Sequence, residues 1–307
     1  VERATIEPFL IYGLENSKVR RITALAVLTL LIALCRYLPV NAQGTVIINV
    51  SFDQLKQGTA GVVTISSPEV IAATADVFDQ TYNFFPTSSG FAAFIPAGIT
   101  QKLGSYALAI TITNKGGGQA TWNGTVKVVS GGFVSEDPFT LPPDKAYLTR
   151  DDIQKAEDDR LLSIYGVITQ ERYWEGPLTL PINAPFISPF GSVRTFNAVA
   201  TRRHTGADLR AVEGTPVLAS GSGRVVLSRQ LDIHGNNIII DHGWGLFTEY
   251  AHLSQRFVVP GQFVLQGDLI GLSGTTGRAT GPHLHWEVAV NGQWVDPVDF
   301  MKVKLPN

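Results

Sequence analysis

Short runs of β-branched residues, cut apart by glycine turns, restrict the fold of this chain more than any other feature. Thr45-Val46-Ile47-Ile48-Asn49-Val50, Gly61-Val62-Val63-Thr64-Ile65, Tyr106-Ala107-Leu108-Ala109-Ile110-Thr111-Ile112 and Thr125-Val126-Lys127-Val128-Val129 are all of strand length. Lys115-Gly116-Gly117-Gly118 is one of the turns between them. Branched side chains lose helix propensity and pack well on a pleated surface. Several short strands spaced by turns predict a β-sandwich over 43–131. That region holds no histidine and no acidic cluster with ligand spacing, so its expected role is placement or binding.

With 307 residues, the chain has room for a second domain. Formal net charge is -2, which gives none of the basic footprint of a nucleic-acid binder. The single cysteine, Cys35, excludes both an intrachain disulfide and a cysteine-based zinc site. Any metal must be held by histidine and carboxylate. The sequence carries no sign of oligomeric state.

The N-terminal segment 1–42 reads as a signal peptide or signal anchor. Lys18, Arg20 and Arg21 precede an apolar run at 22–34, and Arg36 ends it. A basic start and a short apolar run fit a secretory signal, and the run is shorter than the ~20 residues of a free-standing span. Val40-Asn41-Ala42 offers small residues for cleavage after Ala42. Glu2, Glu7 and Glu15 do not suit the basic start of a signal, so translation is expected to begin near Val19. The protein is therefore expected in the cell envelope or secreted, touching membrane only through this segment.

Residues 132–177 read as a linker with a helix. Thr149, with Asp152 three positions on, predicts a capping-box-like start. Ile153, Ala156, Leu161, Ile164, Tyr165 and Ile168 recur at near-helical spacing. The predicted helix covers 151–171, with one apolar face against a neighbouring domain, and Trp174-Glu175-Gly176-Pro177 ends it.

All six histidines fall between His204 and His285. His204 and Asp208 form a His-x-x-x-Asp pair, weak evidence alone. His283-Leu284-His285 opens a strand-like run, and residues i and i+2 of a strand face the same side, so both imidazoles can enter one cavity. His252 follows Thr248-Glu249-Tyr250-Ala251. His234 and His242 lie in turn-like surroundings and read as structural or surface residues. The chain has no His-Glu-x-x-His, no Gly-x-Ser-x-Gly and no P-loop lysine motif, which removes the helical zincin, serine hydrolase and P-loop readings.

Taken in order, three motifs are similar to the lysostaphin-type peptidoglycan endopeptidases. They are Arg203-His204-Thr205-Gly206-Ala207-Asp208, Tyr250-Ala251-His252-Leu253 and Gly281-Pro282-His283-Leu284-His285-Trp286-Glu287. The likeness covers about 178–303. It implies a mainly β chain whose C-terminal domain is a compact antiparallel metallopeptidase of the duplicated-hybrid-motif type. It also implies one zinc ion held by His204, Asp208 and His285, with His252 and His283 as the catalytic pair and peptidoglycan peptides as substrate. Less specifically, Gly104-Ser105-Tyr106 and the alternation after it resemble bacterial immunoglobulin-like modules.

These residue types suit the implied chemistry. Three protein ligands leave one zinc position open, and two histidines with one aspartate leave the site a net cation. Zinc-bound water of pKa roughly 7 is then the expected nucleophile. Histidine titrates near 6.5, so either member of the pair can act as base, acid or oxyanion partner. Two other readings are weighed against this one. One is a catalytically silent wall-binding or hydrolase-activating protein on the same fold, which the complete set of five residues disfavours. The other is a different exported metal-dependent hydrolase, told apart by its substrate.

Overall fold

The computed structural model describes residues 36–38 and 45–306. The expected export segment 1–42 lies outside them, apart from Arg36–Leu38, a short strand antiparallel to Val46–Val50. As the sequence predicts, the fold is mainly β.

Alternation along the first strands builds two five-stranded sheets. One runs in the order Arg36–Leu38, Val46–Val50, Thr59–Ser66, Gly90–Ala97, Phe85–Thr87. The other runs Gln54–Lys56, Gln119–Val129, Gly104–Asn114, Val70–Val77, Gln80–Asn83. Gln54–Lys56 lies parallel to Gln119–Val129, and the other pairings are antiparallel. Val63, Ile65, Ala93, Ile95, Ile110 and Val126 fill the space between the sheets.

The alternate residues of two of these strands face the other way. Ala60, Val62, Ala92 and Phe94 join a second core that continues into the C-terminal half. Two-sided burial makes these strands apolar at nearly every position. The Phe85 ring stacks on Trp244 with centroids 5.0 Å apart, and Phe94 packs on Trp174 and Phe300. The sandwich and the C-terminal sheet thus share buried surface.

The C-terminal sheet has eight strands. Its order is Phe186–Ser188, Ala207–Arg210, His283–Val290, Leu246–Leu253, Asn236–Gly243, Gly223–Gln230, Phe263–Val264, with Gln293–Val295 also on His283–Val290. Leu284, Trp286, Val288 and Val290 point into the core shared with the sandwich. The alternate positions His283, His285, Glu287 and Ala289 therefore face the opposite side.

A single helix, α1 (Asp151–Tyr165), covers part of that opposite side. Leu161 and Tyr165 pack on Ile239, Phe247 and Ala289. The helix departs from the predicted one in three respects. It stops at Tyr165 rather than 171, because Gly166 closes it with its N–H on Leu162 and the chain then turns along the Asp241–Gly245 hairpin. There Thr169 O accepts from Trp244 N at 2.7 Å, and Tyr173 N donates to His242 O at 3.0 Å. Thr149 does not cap it: the N-cap is Arg150, and the Thr149 hydroxyl donates to Ala146 O. The packed face is also not wholly apolar. Ala156 is exposed, whereas Glu157 is buried.

Candidate metal centre

The strand ladder places Asp208 directly across from His285. His204 arrives from the loop just before Asp208's strand. Three donor atoms meet there: His204 Nε2 is 3.1 Å from Asp208 Oδ1 and 2.9 Å from His285 Nδ1, and His285 Nδ1 is 3.0 Å from Asp208 Oδ1. All three residues are buried.

The remaining polar atoms of these side chains are already engaged. His204 Nδ1–H donates to the Pro189 carbonyl, and His285 Nε2–H donates to Glu287 Oε1, both at 2.9 Å. Asp208 Oδ2 accepts from Arg194 at 2.5 Å. In neutral imidazoles held this way, the nitrogen lone pairs of His204 Nε2 and His285 Nδ1 face each other. Two lone pairs and a carboxylate oxygen at such distances repel unless a cation lies among them. Two histidines and an aspartate are donors that zinc takes in catalytic sites, and the second partner of each ligand fixes its orientation. The residues present thus fit a divalent metal.

Charge acts in the same direction. Burial opposes ionisation of Asp208, but the Arg194 guanidinium on its second oxygen holds its carboxyl well below the usual carboxylate range. Burial lowers the His204 pKa, keeping that ring neutral.

His252 and His283 stand beside this triangle, with ring centroids 4.8 Å apart. The His252 ring lies 5.7 Å from that of His285, and His283 Nε2 is 3.7 Å from Asp208 Oδ1. Each Nδ1–H donates to a backbone carbonyl at 2.8 Å, His252 to Thr276 and His283 to Gly281. Both therefore present a bare Nε2. Burial, then the nearby His283 and His285, push the His252 pKa well below the ordinary value. The His252 backbone sits at φ 59°, a conformation that non-glycine residues adopt rarely and that turns up at functional sites.

Behind His285 lies a buried acidic pair. Glu249 and Glu287 face each other across the ladder and are wholly buried. Like charges so placed cannot both ionise cheaply. Burial and Glu287 push the Glu249 carboxyl up to about 8. Burial opposes ionisation of Glu287 as well, but His234, 3.6 Å away, and a hydrogen bond from His285 hold its carboxyl well below the usual range. Donors surround the pair: Tyr165 OH and Asn237 Nδ2 on Glu249, Thr205 Oγ1 on Glu287, and Trp294 Nε1 on Glu287 at 2.6 Å.

Comparison with known proteins follows the same residues. Residues 202–297 match the profile of Peptidase family M23. The chain carries a peptidase family M23 domain. The chain is 48% identical over 103 residues to the peptidoglycan DD-endopeptidase ShyA of Vibrio cholerae, covering 34% of this chain and 23% of that protein. It is 46% identical over 120 residues to the DD-carboxypeptidase/endopeptidase Mpg of Neisseria meningitidis, covering 39% and 27%. The chain thus spans about a quarter of the length of these curated relatives. A crystal structure of a candidate M23 peptidase from Pseudomonas aeruginosa superposes with TM-score 0.60 at 24% identity, covering 81% of this chain and 95% of that one, and shares the fold.

The M23 domain brings together all five residues singled out from the sequence: His204, Asp208 and His285 in one triangle, His252 and His283 beside it. Sequence reasoning missed the residues that support them. Arg194 and Glu136 lie outside the quoted motifs. Arg194 bridges Asp208 to Glu136, which also accepts from Ser188 and Ser192. His242 is structural, bonded to Ser222 O and the Thr248 hydroxyl at 2.8 Å each. Of the structural and surface readings given to His234, the structural one fits: it is buried under α1, 5.5 Å ring to ring from His285. The one signal that could have found it is the polar Glu157 on an otherwise apolar helix face.

Proposed function

We propose that this chain is an exported zinc endopeptidase that hydrolyses peptide cross-links of bacterial peptidoglycan. The observation that carries the reading is the triangle of His204 Nε2, Asp208 Oδ1 and His285 Nδ1 with edges of 2.9–3.1 Å, flanked by two further histidines. The peptidoglycan substrate rests on the names of the relatives that match the chain.

His204, Asp208 and His285 would hold the ion, and the bound zinc would polarise the scissile carbonyl and bring water into reach of deprotonation near neutral pH. The protein supplies the rest. His252 and His283 each present Nε2 to the cleft with the other nitrogen tied to backbone. A neutral imidazole there accepts the proton of the attacking water. The imidazolium so formed bonds the developing oxyanion or returns the proton to the leaving amine. Arg194 keeps Asp208 ionised and aimed by holding its second oxygen. Residues 43–131 are proposed as an accessory module, joined through 132–177 to a peptidase domain over 178–303.

The test is digestion of purified peptidoglycan beside casein and a simple ester. The reading predicts new free amines from peptidoglycan alone, abolished by a chelator and restored by zinc. Cleavage of casein or the ester instead would move the chain to another hydrolase class. Zinc-loaded protein that binds the wall and releases nothing would make it a silent wall-binding protein.

A further inference from the structure

Glu157 lies outside the M23 segment, on α1, and its carboxylate is buried. It accepts three hydrogen bonds, all from one turn: Ile233 N at 2.9 Å, His234 N at 2.8 Å and His234 Nδ1 at 2.6 Å. That turn leads to both halves of the metal centre. His234 Nε2 lies 3.6 Å from Glu287 Oε1, the oxygen that accepts from the metal ligand His285. The His234 carbonyl accepts from His252 N at 2.8 Å, at the residue held in a left-handed conformation. Tyr165, about two turns further along the same buried face of α1, bonds Glu249 and stands 3.3 Å from Glu287 Oε2.

We propose that α1 is a working part of the metal centre, with Glu157 as a positioning residue that fixes the turn carrying His234 and, through it, both His285 and the His252 backbone. This rests on the zinc peptidase reading. Without Glu157, two backbone N–H groups and an imidazole lose their acceptor in a buried site. His234 is then free to leave Glu287, which keeps Thr205 and Trp294 but loses one of the charges that hold it toward His285. A partner behind a zinc-binding histidine is worth about 10–100-fold in metal affinity. A helix that merely covered the sheet would need only its apolar contacts, Leu161 and the Tyr165 ring, and would not place a carboxylate on this turn.

The experiment uses the full chain and its E157A, E157Q and Y165F variants. Zinc affinity is read by competition with a chelator, and site geometry by the visible spectrum of the cobalt-loaded protein. Near-ultraviolet circular dichroism confirms that each variant is folded at the working temperature. Because Glu157 acts through His234 and Glu287, E157A is expected to bind zinc more weakly by up to about 10-fold, the low end of that range, with an altered cobalt spectrum. E157Q, which keeps one acceptor oxygen, should fall between. If E157A fails to fold, E157Q and Y165F carry the same test. Folded variants with wild-type affinity and spectrum would overturn the proposal. Two zinc ions per wild-type chain, with one lost in His234→Gln, would also overturn it by making the pocket a second metal site. Wild-type protein that takes up no zinc sinks the peptidase reading itself, whereas zinc uptake beside an unaffected E157A sinks this inference alone.

Discussion

Asp208 and His285 face each other across adjacent antiparallel strands with donor atoms 3.0 Å apart. A ladder position is fixed by many backbone hydrogen bonds at once, so this pair is held more rigidly than two loop residues would be. His204, the third donor, is tied by its Nδ1 to Pro189 and by its backbone N–H to Ser192.

Arg194 is half-buried between two carboxylates, the buried Asp208 and the half-buried Glu136. Removing one partner of a buried ion pair costs about 3–5 kcal/mol, because it strands the other charge. Because Arg194 is itself only half-buried, Arg194→Met should lower the stability of the metal-free protein by less than that in urea unfolding. Zinc should recover part of the loss, since the ion then compensates Asp208. Equal losses with and without zinc would show that the Asp208 contact contributes nothing.

His242 is buried neutral, and burial drives its pKa down to about 4. The unfolded chain binds a proton there near 6.5, so between those values it binds more protons than the native one. The stability contributed is fully present above about pH 6.5 and is lost as pH falls through 4. His242→Gln should flatten the unfolding free energy between pH 6.5 and 4 relative to wild type. An unchanged pH slope would contradict the assignment.

Phe94 is buried between the sandwich and the C-terminal half, packed on Trp174 and Phe300. Phe→Ala at such a site costs about 3–5 kcal/mol. Because the two halves share a core, Phe94→Ala should shift one common thermal transition downward. Two separated transitions in wild-type calorimetry would show that the halves unfold independently.

Much of the site was legible because its spacing is local. His283 and His285 share a face through the period of two in a strand, and His204 and Asp208 are only four residues apart. The supporting residues were not legible, because their partners are distant in sequence. Glu157 reaches His234 across 77 positions, and Arg194 reaches Glu136 across 58. Nothing local in the sequence shows that Glu249 and Glu287 face each other beneath α1. The helix end was misplaced for a related reason. Ile168 continues the apolar period, yet it packs on the main core from a non-helical segment that follows Gly166.

The most direct test of the metal centre is a paired count of bound zinc and released amines in His285→Ala and His283→Ala, with purified peptidoglycan as substrate. With His285 as the proposed ligand, His285→Ala should lose zinc and turnover together. With His283 proposed for proton transfer and not for metal binding, His283→Ala should keep about one zinc per chain and lose about 10²–10⁴-fold in turnover. Full zinc and full activity in both variants would contradict the assignment of the site.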